Sequence, residues 1–311
     1  MQMRATRDKF TVPKYSARSS GYLGELALLL LLATLWGASY TFIKLGVASI
    51  PPVTFIAART MIAAVVLLGV LHGRGMRLPT DIATWRRFLF QVCLNSVIPF
   101  TLIAWAEQSV DAGLATILNA SAPIFAFILT LGPEHRQSTS GRQLFGVVSG
   151  MIGICLIVGV QALSGIGQQL TAELAIIAAT VCYAGAAIFG RSFQELDPML
   201  PATGSLLCGA IVLIPTSLIV DHPWALVPSS RSIVGLMCLS IFSTALAFTI
   251  YFRLIRTLGS VGVTSQAYLR VPIGVAIGIV FLGESLSPAT LIGLVCVIAG
   301  VAAMTLRPRK Q

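Results

Sequence analysis

The sequence predicts an all-α integral membrane protein with ten transmembrane helices as two inverted five-helix repeats. Three observations carry that expectation. Charged residues make up only 10% of the 311 positions, against 56% hydrophobic ones, and the mean hydropathy is +0.88. A soluble domain carries about a quarter charged residues to solvate its surface, so this chain is not one. The apolar residues also fall in long blocks, each matching the roughly 20 residues that an α-helix needs to cross hydrocarbon. Finally, the two halves of the chain are weakly self-similar.

The first five blocks are Leu26–Leu45, Val53–Leu71, Phe88–Ala106, Ala112–Leu131 and Leu144–Val160. The second five are Leu174–Gly190, Leu200–Val220, Ile233–Phe252, Val261–Leu282 and Ala289–Leu306. The first block follows a basic segment, but it is too long for a signal peptide and no small-x-small site ends it, so it reads as a retained helix. The expected divisions are a basic tail over 1–22, a first repeat over 23–160, a second over 161–306 and a short tail over 307–311.

Basic charge sets the direction of threading. With the N-terminus inside, 17 of the 21 Lys and Arg fall on that side, Arg231 alone falls outside, and Lys44, Arg59 and Arg270 lie within spans. That asymmetry predicts a multi-pass protein of the cell inner membrane with both termini cytoplasmic. The net charge of +10 therefore reports orientation, and no nucleic acid is expected as a partner.

Self-similarity sits at a nearly constant spacing. Trp36, Gly37 and Lys44 match Tyr183, Ala184 and Arg191 at 147 residues, as Gly146 and Gly153 match Gly293 and Gly300. Gly113 and Pro123 match Gly262 and Pro272 at 149. A repeat with an odd number of spans must re-enter the membrane in the opposite direction, which is the architecture of carriers. The competing reading is that Gly and Pro recur in any set of membrane helices.

Loops of five to sixteen residues leave no room for a soluble catalytic domain, and no G-x-x-x-x-G-K-[ST] phosphate loop occurs. All six cysteines fall inside spans and read as packing residues. His72, His135 and His222 lie far apart in connections, so neither a metal site nor a cofactor is expected.

Polar residues at membrane depth are costly and mark function. Arg270 lies about 13 Å along its span at 1.5 Å per residue, near the midplane. Two readings stand for it: it faces a cavity and a substrate anion, or it satisfies carbonyls freed by a kink at Pro272. Arg59 and Lys44 lie nearer the external face and either line the same cavity or reach the interface. Trp36, Tyr40 and Lys44 form one helical stripe and Thr244, Phe248 and Phe252 another, as packing surfaces or as cavity walls. Asn95 with Pro99, Thr101 with Trp105, and Asn119 with Pro123 add amides, a hydroxyl, an indole and two proline kinks, with interhelical hydrogen bonding as the alternative use of the asparagines. No acidic residue reaches the midplane: Glu25, Glu107, Asp111, Glu173 and Glu284 all lie at span ends. A cavity with buried cations and no counter-carboxylate favours anionic or zwitterionic solutes, and coupling through a midplane carboxylate is disfavoured.

The first half runs LWGASYTFIKLGVASIPPVTFIAARTMIAA and later WAEQSVDAGLATILNASAPIFAFIL; the second contains TALAFTIYFRLIRTLGSVGVTSQAYLRVPIGVAIGIVFLGESLSPATLIG. From about Leu29 to Met304 the chain resembles the EamA-type members of the bacterial drug/metabolite transporter superfamily. The resemblance implies a ten-helix exporter of small metabolites in which spans one to four and six to nine surround a central cavity. Carried over by position, Trp36, Gly37, Arg59, Trp105, Asn119, Pro123, Tyr268, Pro272 and Glu284 fit its pattern. Two departures stand out. Arg270 replaces an apolar residue between Tyr268-Leu269 and Pro272, and the first L-G-x-E is altered to Leu131-Gly132-Pro133-Glu134.

The expected function is export of amino acids or similar zwitterionic or anionic solutes by alternating access around a midplane cavity. Arg270 is the expected carboxylate anchor. Asn95 and Asn119 supply hydrogen bonds, and Trp36, Tyr40, Trp105, Tyr183 and Tyr268 the aromatic walls. Pro99, Pro123 and Pro272 serve as kinks. The alternatives are a multidrug or nucleoside-type carrier and a channel. Expected partners are a small-molecule substrate, the lipid bilayer and, as an option, a second copy of the chain.

Overall fold

In a computed structural model, the structure describes residues 19–106, 109–110, 117–131, 141–159, 163, 166–273 and 287–305. Residues 1–18 and the tail over 307–311 therefore lie outside the described residues, as do Gly113, Gly132, Pro133, Glu134, Leu282 and Glu284, while 19–22, expected as tail, open the first helix. Among the described residues the chain is helical, with no strand. Seven stretches of the described residues are long and apolar enough to cross a membrane, and Ile117–Leu129 is a shorter apolar helix.

The helices in chain order are α1 (Ser19–Val47), α2 (Pro52–Gly73), α3 (Ile82–Val92), α4 (Ile98–Ala106), α5 (Ala122–Leu129), α6 (Gly141–Val158), α7 (Leu170–Phe189), α8 (Met199–Val220), α9 (Ser230–Ser240), α10 (Ala247–Thr264), α11 (266–273) and α12 (Pro288–Thr305). Local sequence sets their ends. Pro52 opens α2, where its missing N–H is no loss. Asp81 caps α3 by accepting from the Thr84 amide at 2.7 Å, and Ser229 caps α9 by accepting from the Ser232 amide at 3.2 Å.

Two π-turns interrupt the helical run, one at Cys93–Val97 between α3 and α4, the other at Ile241–Leu246 between α9 and α10. They stand 148 residues apart, at the repeat spacing. A π-turn widens the helix and frees backbone carbonyls for other donors. Here the Ser243 carbonyl accepts from the Trp36 indole at 3.1 Å, and the Ser243 hydroxyl donates to the Leu35 carbonyl at 2.7 Å.

The expected boundary at Phe252 does not hold. The helix runs on to Leu258, because Leu254 and Ile255 are buried on one face while Arg253 and Arg256 stay exposed on the other. It breaks at Gly259, whose φ of 76° only glycine adopts without strain. A second interruption follows at Ser265. There the Thr264 hydroxyl donates to the Ser260 and Val261 carbonyls and the Ser265 hydroxyl to Gly262. These hydroxyls occupy the carbonyls around the break at Ser265.

Neighbouring helices pack antiparallel along two seams. Along α2 and α8, the Thr54 hydroxyl bonds Asp221 and Ser217 at one end, and Arg74 donates to the Met199 sulfur at the other. Along α6 and α12 the backbones touch. A Cβ on Gly146 would lie 2.6 Å from the Gly300 carbonyl oxygen, and one on Gly153 would lie 2.6 Å from that of Gly293. The reverse holds as well, at 2.6 Å for Gly300 against Gly146 and 2.7 Å for Gly293 against Gly153. Small residues let membrane helices approach this closely.

Candidate functional site

A cavity of about 150 Å³ lies between the two halves of the chain. From α1 come Trp36, Ser39 and Ile43, from α2 Phe55, Ile56 and Arg59, and from the first π-turn and α4 Asn95, Phe100 and Ile103. Asn119 and Ala122 add a fourth wall, Tyr183 a fifth, Phe248 and Tyr251 a sixth, and Thr264, Gln266, Ala267 and Arg270 close the ring. The wall is apolar and aromatic with a few convergent polar groups, the usual make-up of a small-molecule site.

Two guanidiniums dominate its chemistry. Arg59 is 5% exposed, donates from Nε to the Thr244 hydroxyl at 2.7 Å, and lies 4.6 Å over the Phe100 ring. Burial at this depth removes the reading in which it reaches the interface. Arg270 donates from Nε to Gln266 Oε1 at 2.8 Å and lies 5.2 Å over the Trp36 ring. No carboxylate among the described residues pairs with either, the one ion pair there being Arg253 with Glu25 at 2.8 Å. Aromatic faces stabilise both cations through the ring quadrupole.

The aromatic walls come in matched pairs. Trp36 meets Phe248 edge-on, with centroids 6.4 Å apart, and Tyr183 meets Phe100 edge-on at 6.4 Å. Asn95 is buried in its π-turn with no partner for Nδ2 among the described residues.

Of the residues singled out in the sequence, Trp36, Arg59, Asn95, Asn119, Tyr183 and Arg270 come together in this cavity. Two aromatic candidates do not line it. Trp105 is 52% exposed on the outer face of α4, because the helical turn that aims Phe100 and Ile103 inward sends residue 105 outward. Tyr268 is fully buried against Gly150 of α6 and donates its hydroxyl to the Val147 carbonyl at 3.1 Å. It lies two residues from Arg270, on the opposite face of α11. The side chains of Tyr40 and Lys44 lie outside the described residues, though the backbone of α1 at both positions is helical. Pro99 follows the first π-turn by two residues, and Pro123 sits in the first turn of α5. Pro272 lies within α11, seven residues beyond the interruption at Ser265.

Sequence reasoning missed Phe100, Tyr251 and Gln266. For Gln266 the signal was a polar residue four positions before Arg270, on the same helical face. For Phe100 it was the repeat, since Phe248 lies 148 residues on.

The profile of the EamA-like transporter family matches residues 23–159 and again 170–306. Among curated proteins, the chain is 26% identical to an uncharacterized inner membrane transporter, YedA, of Escherichia coli K12, over 88% of this chain and 87% of that one. It is 25% identical to a protein of Streptantibioticus cattleyicolor named a "probable terminal-alkyne amino-acid exporter", over 88% and 91%. A solved crystal structure superposes with a TM-score of 0.73 at 16% identity, covering 93% of this chain and 98% of that one.

Proposed function

The chain belongs to the EamA-like transporter family, and on that premise we propose that it carries small amino-acid-like or anionic solutes outward across the inner membrane, with Arg270 as a carboxylate anchor. One observation carries the solute reading: among the described residues two guanidiniums line the cavity and no Asp or Glu does. A solute carboxylate supplies the missing counter-charge, and cationic drugs are repelled. Trp36, Tyr183, Phe100 and Phe248 form walls for an apolar side chain, with Asn95 and Asn119 orienting polar groups. The printed name of the Streptantibioticus relative, an amino-acid exporter, points the same way.

The mechanism we propose is alternating access by inverted repeats of five spans, with both termini cytoplasmic. Reciprocal seams support the inversion. Gly146 meets Gly300 as Gly293 meets Gly153, so exchanging repeat partners maps the seam onto itself. The two helices run antiparallel, which a two-fold axis in the membrane plane produces and one along the membrane normal does not. The cavity reaches Val47 and Pro52 at one end of α1 and α2. The other end is closed by contacts from Trp36 to Tyr251, Tyr251 to Phe252 and Phe252 to Phe193. Beyond them, Glu25 accepts from Arg253 and Thr257.

The test is counterflow in liposomes holding the purified protein, with labelled amino acids, nucleosides and cationic dyes compared. Amino acids are expected to exchange and dyes are not. Movement of dyes alone overturns the solute reading. Arg270→Ala is expected to raise half-saturation about 30-fold or more, since losing one partner of a charged hydrogen bond costs about 2 kcal/mol; unchanged transport at every concentration overturns its anchoring role.

A further inference from the structure

We propose that the cavity selects solutes bearing two oxyanion groups, of the dicarboxylate class, with one carboxylate on Arg59 and the other on Arg270. The proposal rests on the carrier reading above and narrows it. The two arginines are presented in the same manner. Each spends Nε on a neutral oxygen, Thr244 Oγ1 at 2.7 Å or Gln266 Oε1 at 2.8 Å, and each lies over an aromatic ring, Phe100 or Trp36. The forked Nη1 and Nη2 ends, which pair bidentately with carboxylates, make no hydrogen bond to the protein among the described residues. Both residues line the cavity.

Charge decides the class. A cation held away from water without a counter-charge is expensive, and two line this wall, Arg59 buried and Arg270 half-buried. One carboxylate neutralises one guanidinium and leaves the other. A neutral amino acid does the same and brings its ammonium beside the remaining cation. Two carboxylates neutralise both. Because Nε and the aromatic face fix each guanidinium plane beforehand, little side-chain freedom is lost on binding. Asn95 lines the same wall, with no partner for its Nδ2 among the described residues.

The test uses the full chain, purified and reconstituted in liposomes. The probes are succinate and glutarate, butyrate as the matched monocarboxylate, and leucine as the neutral zwitterion, each competing for counterflow and each titrated against thermal unfolding in detergent. The dicarboxylates are expected to bind about tenfold or more tighter than butyrate and leucine, the gain from one further charge-assisted bidentate pair. Arg59→Gln and Arg270→Gln are each expected to bring the dicarboxylates down to the butyrate level. Arg59→Lys and Arg270→Lys, which keep charge but lose the fork, fall in between and report if a Gln variant does not fold. Equal affinity for leucine and the dicarboxylates, unaltered by the four variants, overturns the two-oxyanion proposal and leaves the carrier reading standing. Absence of counterflow for every solute by a protein that still melts cooperatively overturns both.

Discussion

The two halves of the chain contribute matching frames to the cavity and unlike charges. Their π-turns at Cys93–Val97 and Ile241–Leu246 stand at the repeat spacing, as do the helix caps Asp81 and Ser229 and the ring pairs Tyr183 with Phe100 and Trp36 with Phe248. The arginines break the correspondence. At a spacing of 147, Arg59 matches Leu206, which is 1% exposed in the core; at 149, Arg270 matches Ser121, which bonds the Leu118 carbonyl and Thr180. Backbone geometry has been kept through duplication, while the charged groups that line the cavity differ from half to half. Symmetric architecture suits a cavity that opens to either side; asymmetric charge suits one solute held in one orientation.

The largest expected effect comes from erasing that asymmetry. Arg59→Leu and Arg270→Ser give each half the residue its counterpart carries. Each variant is expected to lose ~30-fold or more of transport at low solute, from about 2–5 kcal/mol for a buried charged contact. Adding Leu206→Arg to Arg59→Leu should restore nothing, because Leu206 does not line the cavity. Counterflow that survives either swap breaks the comparison.

Next in size is the seam that both halves share. Gly146→Ala and Gly300→Ala each drive a methyl onto a backbone carbonyl at 2.6 Å. Each should lower stability by about 1–3 kcal/mol, read as a drop in melting temperature in detergent. Gly185 is the control. Its added Cβ meets only Leu94 Cδ1, at 3.7 Å, so Gly185→Ala should be neutral or stabilising by up to ~1 kcal/mol.

A smaller effect concerns the contacts beyond the closed end of the cavity. Glu25 with Arg253 and Thr257 is ionic, and the Arg253 side chain is 52% exposed. Glu25→Gln should therefore cost about 0.2–1 kcal/mol at low ionic strength and nothing measurable near 1 M salt, where the Debye length is about 3 Å. Melting curves at the two salt concentrations decide it.

The smallest effect concerns the matched caps. The Thr84 amide holds the Asp81 carboxyl below its ordinary range. A depressed folded pKa gives stability that is present above the unfolded value near 3.9 and is lost as pH falls through the folded one. Ser229 does not titrate. Asp81→Ser should flatten the acid limb of the melting profile, and Ser229→Ala should lower melting by the same amount at every pH.

Much of this was readable from residues. Apolar blocks locate the helices because length and hydropathy alone decide membrane crossing, and Arg270, Arg59 and Asn95 were legible because a polar group at that depth is costly. What was not legible depends on rotation about a helix axis. Tyr268 and Arg270 are two positions apart and face opposite ways, and only the interruption at Ser265 sets which of them meets the cavity. Trp105 fails for the same reason, since Phe100 and Ile103 take the inward face. The π-turns have no sequence signature of their own, and Gly259 lay beyond a boundary drawn where apolar character faded.

The glycine seam between α6 and α12 has one further consequence. Two helices in backbone contact at Gly146 with Gly300 and at Gly153 with Gly293 cannot slide by a turn without lifting a Cα over a carbonyl. Shear is blocked there while small rotations remain open. The pair is a fixed contact outside the cavity wall, and Tyr268, wedged against Gly150 two residues from Arg270, ties the helix that carries the guanidinium to it.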